Sequence, residues 1–157
     1  MQSRLLATTT IALFLAAACG GTTPSTATTS PSPSAAASGT TIAAASNAKL
    51  GQILVDGTGM TVYLFVADSG AVSTCYGSCA QIWPPVVTTG AVQAGTGATT
   101  SFLGTSKRTD GKTQVTYAGH PLYYFVQDKK AGDATGQGVN GFGALWWVLA
   151  PSGSAIH

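Results

Sequence analysis

The feature that most constrains this chain is an internal repeat with a constant offset of 60 positions. Residues 55–68 align with residues 115–128, and each copy has a glycine-containing turn followed by Tyr-x-Phe-x-x-Asp. The motif residues are Tyr63, Phe65 and Asp68 in the first copy and Tyr123, Phe125 and Asp128 in the second. Such a duplication predicts two copies of one small supersecondary unit, neither of which buries its apolar face alone.

Each copy is predicted to begin as a β-hairpin, because short apolar runs flank its glycine turn. The predicted strand pairs are 53–55 with 61–66 in the first copy and 114–117 with 122–126 in the second. A further hairpin is predicted around Asp110-Gly111, between residues 101–107 and 113–117. Residues 146–149 read as a late strand, and only residues 75–82 suggest a helix.

Composition favours the same fold class. Charged residues make up only 8% of the chain, against roughly 25% in an average soluble domain. All five acids are aspartates, so the chain lacks the glutamates that favour surface helices, and its 20 glycines favour turns. We therefore predict an all-β fold, a compact single domain of two pseudo-repeated hairpin units arranged as a sandwich or barrel. The net charge of +2 excludes the basic face of a nucleic-acid binder.

The N-terminus is typical of an exported bacterial lipoprotein. Arg4 precedes an apolar run over residues 5–18, which is too short to span a bilayer comfortably, and small residues lead to Cys19. This arrangement resembles the lipobox, in which the cysteine receives a diacylglyceryl group and becomes the first mature residue. We predict a signal peptide over 1–18, lipid attachment at Cys19, and a domain held outside the cytoplasmic membrane.

Residues 19–48 are predicted to be a disordered tether, because they are almost entirely Ser, Thr, Ala, Gly and Pro. The folded domain is then predicted over 49–157, with repeat 1 at about 50–90 and repeat 2 at about 110–152.

The three cysteines leave one unpaired, which lipid on Cys19 would explain. Cys75 and Cys79 then remain, and an oxidising compartment favours a disulfide between them. Two thiolates at this spacing also suit a soft metal such as copper, with His120 and Met60 as further ligands. Both interpretations stay open on the sequence.

The duplicated Tyr-x-Phe-x-x-Asp motif resembles a bacterial family described as a secreted repeat of unknown function. The resemblance includes the cysteine loop before Trp83-Pro84-Pro85, the Gly-rich stretch 132–138 and Trp146-Trp147, and it covers about residues 50–152. It implies an exported lipoprotein and no particular chemistry.

The motif aspartates lie where strands should end, so we expect them to accept bonds from turn N–H groups or a Tyr hydroxyl, or else to form a ligand site. No complete catalytic constellation is visible. We predict a non-enzymatic envelope protein without a cofactor, which has a binding or structural role. Its expected partners are membrane lipid and a cell-wall or envelope component, not nucleic acid. The alternative is a copper-binding or electron-transfer protein.

Overall fold

The computed structural model of the protein describes residues 39–157. The predicted signal peptide, Cys19 and the tether as far as residue 38 lie outside the described residues. Residues 39–157 form nine short strands, a five-residue helix and a single 3₁₀ turn. The prediction of an all-β fold with two repeats is therefore confirmed.

The strands form three small sheets. The first has the order β2-β1-β4, with β1 at Thr41–Asn47, β2 at Gly51–Asp56 and β4 at Gln93–Ala94. The second has the order β3-β9-β8, with β3 at Tyr63–Phe65, β8 at Asn140–Gly141 and β9 at Ala144–Val148. The third has the order β5-β6-β7, with β5 at Leu103–Lys107, β6 at Thr113–Tyr117 and β7 at His120–Pro121. The helix α1 spans Ser78–Ile82, and the 3₁₀ turn spans Thr100–Phe102.

A reciprocal backbone pair joins the two repeats. The Tyr63 N–H donates to the Tyr123 carbonyl at 2.9 Å, and the Tyr123 N–H donates to the Tyr63 carbonyl at 3.0 Å. Further along, the Val66 N–H donates to the Leu145 carbonyl and the Val126 N–H donates to the Ile82 carbonyl. Residues that correspond in sequence thus make corresponding bonds, which places a local pseudo-twofold axis between Tyr63 and Tyr123.

The domain starts earlier than the boundary predicted at residue 49, because β1 lies inside the predicted tether. This strand is the central strand of its sheet, antiparallel to β2 and parallel to β4. A Cβ placed on Gly95 would lie 2.8 Å from the Ala43 Cβ, and one on Gly97 would lie 2.7 Å from the Ala44 Cβ. The small residues that resemble a disordered linker therefore allow close packing here, and backbone pairing stabilises a strand with little side-chain bulk.

The predicted hairpins are correct in part. The hairpin of β5 and β6 forms in full, and β6 continues into β7 through Ala118 and Gly119, both at positive φ. The first predicted hairpin is reduced to one bridge, Val55 to Thr61, because the main partner of β2 is β1. The predicted strand 122–126 is likewise interrupted, since Tyr123 leaves β6 to pair with Tyr63 and Pro85.

The core between the repeats is a stack of four aromatic rings, here called the four-ring stack. Its order is Phe65, Trp146, Trp83, Phe125, with ring centroids 4.1, 4.0 and 4.2 Å apart. Each motif phenylalanine stacks on the tryptophan of the other repeat. Tyr63 meets Trp83 edge-on at 5.3 Å, and Tyr123 meets Trp146 edge-on at 5.1 Å. The two copies of the motif therefore build a single core that neither copy could form alone.

Replacing Gly136 by alanine should destabilise the domain by about 1–3 kcal/mol, because overpacking a close-packed core costs that much. The new Cβ would lie 2.7 Å from Trp83 Cη2 and 3.0 Å from Tyr63 Cε1. The Trp83 ring is stacked between Trp146 and Phe125, so a shift that relieves the contact would disturb the four-ring stack. Thermal melts measure the effect.

The matched control is Gly141→Ala, whose new Cβ has no neighbour nearer than 3.9 Å. We expect this variant to melt close to the wild-type temperature. Equal melting temperatures for the two variants would contradict tight packing of the four-ring stack.

Candidate functional site

The motif tyrosines and aspartates pair across the repeats, not within them. The Tyr63 hydroxyl donates to Asp128 Oδ2 at 2.6 Å, and the Tyr123 hydroxyl donates to Asp68 Oδ2 at 2.6 Å. Both tyrosine side chains are fully buried. We call these two contacts the crossed Tyr–Asp pairs; they lie on either side of the pseudo-twofold axis.

The second oxygen of each motif carboxylate fixes the loop that follows it. Asp68 Oδ1 accepts bonds from the Thr74 N–H and hydroxyl, and Asp128 Oδ1 accepts the same pair from Thr135. Each aspartate also donates its own N–H to the carbonyl of its motif phenylalanine, Phe65 or Phe125. Each carboxylate thus joins its own loop to the tyrosine of the other repeat.

A third pair of the same kind lies beside them. The Tyr124 hydroxyl donates to Asp56 Oδ2 at 2.9 Å, and Asp56 Oδ1 accepts from the N–H groups of Thr58 and Met60. This contact also crosses between repeats. Sequence reasoning overlooked it, because Asp56 and Tyr124 are not at equivalent positions in the two copies.

The Asp68 side of the pseudo-twofold axis carries a buried cation, and among residues 39–157 the Asp128 side has none. The Arg108 side chain is fully buried, and its Nη1 donates to Ser73 Oγ at 2.7 Å and to Gln114 Oε1 at 2.8 Å. Its Nη2 donates to the Cys75 carbonyl at 2.8 Å. The Ser73 and Tyr123 hydroxyls are 2.7 Å apart, so this Arg108 network continues to the Tyr123–Asp68 pair.

The charge of Arg108 is balanced at the protein surface. Arg108 Nε lies 3.2 Å from Asp110 Oδ2, and the guanidinium carbon lies 4.3 Å from the centre of the Tyr76 ring. Sequence reasoning treated residues 108–112 only as a turn. The available signal was that Arg108 is the sole arginine of the chain after Arg4.

Cys75 and Cys79 form a disulfide, with their Cα atoms 5.3 Å apart. The prediction of this disulfide is confirmed. Both residues are buried beside the four-ring stack, and Cys79 belongs to α1. The disulfide therefore stands directly beside the carbonyl that Arg108 holds.

The alternative copper site would need His120 and Met60 beside the two cysteines. Met60 closes the turn that Asp56 caps, and His120 begins β7. Within the part of the chain that the structure describes, no group of three or more His, Cys, Asp or Glu side chains is placed to hold a metal ion. In the disulfide neither sulfur is a thiolate, so a copper site at Cys75 and Cys79 would require the reduced protein.

The motif residues leave little room for a ligand. Among residues 39–157 every buried side-chain nitrogen and oxygen has a hydrogen-bond partner. Both motif carboxylates accept a tyrosine hydroxyl on one oxygen and a threonine on the other. The arrangement is suited to holding the two repeats together.

A comparison with known protein families agrees with the duplicated architecture. A family described as a secreted repeat of unknown function matches the chain twice, over residues 44–87 and 104–150. The chain belongs to this family. Each match contains one copy of the Tyr-x-Phe-x-x-Asp motif, so one domain contains two secreted repeats. No curated protein and no solved structure matches the chain.

The first match also corrects the tether boundary, since it begins at residue 44, within β1. The family's description as secreted agrees with a domain outside the cytoplasm. In the described residues no helix has the length and apolar character needed to cross a membrane.

The crossed pairing predicts a specific pattern of energetic coupling. In a double-mutant cycle, Tyr63→Phe and Asp128→Asn should couple by about 1–3 kcal/mol, because together they remove one hydrogen bond to a buried charge. Tyr63→Phe with Asp68→Asn, in the same repeat, should be additive to within about 0.5 kcal/mol. Urea unfolding of the single and double variants measures both terms. Stronger coupling within the repeat than across it would contradict the crossed pairing.

Stability should fall at alkaline pH. Burial, followed by the bonds to Asp128 and Asp68, raises the pKa values of Tyr63 and Tyr123 well above the ordinary value of 10.0. Burial and the Asp56 charge raise the pKa of Tyr124 in the same way. The unfolded chain therefore releases these protons first. The contribution of these tyrosines to the free energy of unfolding should be fully present below pH 10. Above pH 10 the free energy of unfolding should fall by about 1.4 kcal/mol per pH unit for each such tyrosine.

Tyrosinate absorbance, read together with denaturant midpoints, tests this expectation. Tyr76 should ionise before Tyr63, Tyr123 and Tyr124 in the folded protein, because a hydrogen bond with Thr109 lowers its pKa. Tyr76→Phe should remove that early step and leave the later, unfolding-linked step in place. Ionisation of all five tyrosines in one step near pH 10 without unfolding would contradict the buried pairs.

Proposed function

We propose that the protein is a lipid-anchored, extracytoplasmic binding module without catalytic activity. In this proposal Cys19 carries the lipid, the residues after it act as a spacer, and the duplicated domain meets a cell-wall or envelope component. The signal-like N-terminus and the description of the family as secreted support export.

The observation that carries the anchor is the disulfide between Cys75 and Cys79. It uses two of the three cysteines and leaves Cys19 as the one with no partner in the chain. In an oxidising compartment a leftover cysteine calls for an explanation. Acylation at a lipobox-like sequence supplies one.

The absence of catalysis is proposed from the chemistry of the motif. A catalytic carboxylate has to meet its substrate, but Asp68 and Asp128 are already bonded on both oxygens. The tyrosine hydroxyls that donate to them, those of Tyr63 and Tyr123, are buried and held in the neutral form by their raised pKa values. This favours a structural use of the motif and a binding role for the surface.

Metabolic labelling with a palmitate analogue tests the anchor. The wild-type chain should incorporate the label and sediment with membranes, whereas Cys19→Ser should remain unlabelled and soluble. The matched control is the double variant Cys75→Ala, Cys79→Ala, which should still be labelled because Cys19 is intact. Membrane recovery of Cys19→Ser at the wild-type level would show that no lipid on Cys19 holds the protein.

A further inference from the structure

A groove of about 540 Å³ lies between the β1–β2 turn and the loop that follows the second motif. One wall is formed by residues 46–50 and the other by residues 130–137. Most of its lining is small or polar, and each wall contributes one lysine, Lys49 on one side and Lys130 on the other. Asp133 is the one acidic residue of the lining.

Both walls are held in place before any ligand arrives. Asn47 Oδ1 accepts the N–H groups of Lys49 and Leu50, and Asn47 Nδ2 donates to the Gly132 carbonyl at 3.0 Å across the groove. Asp133 Oδ2 accepts the N–H groups of residues 129 and 130. Each lysine therefore projects from an ordered turn, and a ligand would not have to order the backbone.

The lysines and the aspartates of the domain differ in how they are bonded. All five aspartates accept bonds from side chains or backbone N–H groups of the domain itself, as described above for Asp56, Asp68 and Asp128. Asp110 is bonded to Arg108, in the only ion pair among residues 39–157. The five lysines, by contrast, are all exposed: Lys49, Lys107, Lys112, Lys129 and Lys130. Within the described part of the chain none of these lysines is ion-paired, whereas each carboxylate is hydrogen-bonded to another group of the domain.

A second groove of about 510 Å³ shows what sets the first apart. It is lined by threonines, glycines and aliphatic residues between residues 88–92 and β5, and its described lining contains no charged side chain. Volume alone therefore does not distinguish the two grooves. The two lysines do.

We propose that the groove between Lys49 and Lys130, here called the lysine groove, binds an anionic polymer whose phosphate or carboxylate groups repeat along the chain. This inference rests on the proposed function and names its ligand class. Exposed lysines hold a single anion weakly, because water screens each contact. A chain that presents several anions to an open groove adds such contacts together and releases counterions, so a polymer fits this site better than a small ion.

The test uses the full chain carrying Cys19→Ser, so that no lipid at position 19 contributes to binding. Linear inorganic polyphosphate and polygalacturonate are the anionic probes, neutral dextran is the uncharged probe, and affinity is measured calorimetrically over a range of salt concentrations. Lys49→Gln with Lys130→Gln should weaken binding about tenfold or more and reduce the salt dependence by about two counterions. The matched control is Lys107→Gln with Lys112→Gln, which changes the net charge equally outside the groove and should alter affinity by no more than about twofold.

Several results would overturn the inference. Equal losses in the two double variants would indicate attraction to net charge alone, and binding to dextran at the same affinity would remove the role of the anions. Binding to vesicles of anionic lipid, with none to either polymer, would assign the lysines to a membrane surface instead. Polyphosphate and polygalacturonate separate phosphate from carboxylate as the preferred group.

The lipid-labelling experiment reports on the proposed function separately. If the wild-type chain is labelled at Cys19 but the anchor-free chain binds neither polymer, this inference fails while the anchored module stands. If labelling fails but the polymers bind through Lys49 and Lys130, the groove stands and the anchor does not.

Discussion

The crossed Tyr–Asp pairs are the contacts on which the rest of the structure depends. Each carboxylate ties the loop of its own repeat to the tyrosine of the other, while the backbones of Tyr63 and Tyr123 bond reciprocally between them. Because a buried charge-assisted bond is stronger than a neutral one, and a buried acceptor without a donor is costly, the two repeats stabilise one another. The four-ring stack then fills the space that these bonds enclose, with rings supplied alternately by the two copies.

The two halves of the domain differ in the groups that surround their motif aspartates. The Asp68 side has gained Arg108, Ser73 and the disulfide loop, which form one connected polar network. At the corresponding place on the Asp128 side stands Gly136, whose N–H donates to the Tyr63 hydroxyl and whose missing side chain admits the Trp83 ring. One half is thus held by a buried cation and a covalent bond, and the other by close packing. The pseudo-twofold axis is kept despite this asymmetry, because each side provides a hydrogen-bond partner for its tyrosine hydroxyl, Ser73 for Tyr123 and the Gly136 N–H for Tyr63.

A motif engaged in this way is an element of the fold. Its polar atoms are used within the domain, so in the proposed function recognition of a partner falls to surface loops, as is common where a rigid scaffold supports variable connections. The lysine groove is such a place, since its walls are a hairpin turn and an inter-strand loop. Among the residues that the structure describes, the lysines of this surface are not ion-paired, because the carboxylates are bonded to other groups of the domain.

Local chemistry was enough to predict much of this protein from its sequence. The period-60 repeat, the paucity of charge and the turn residues determined an all-β duplicated domain, and the hairpin of β5 and β6 follows from Asp110-Gly111. For Cys75 and Cys79 the sequence left a disulfide and a copper site open, and the structure forms the disulfide. These features depend on contacts between near neighbours or on composition summed over the chain.

Only the tertiary structure decided which motif tyrosine bonds to which motif aspartate. Tyr63 and Asp68 belong to the same copy of the motif, yet Tyr63 bonds to Asp128 of the other copy. The reason is that Tyr63 and Tyr123 pair in antiparallel fashion across the pseudo-twofold axis, which brings each tyrosine close to the residues that follow the other. Strand β1 was hidden for a related reason. Its alanines have no hydrophobic signature. They form a strand by pairing with β2, and Gly95 and Gly97 let the segment on the other side approach closely. The burial of Arg108 likewise depends on acceptors more than 30 positions away, at Ser73 and Cys75, which no local pattern connects to it.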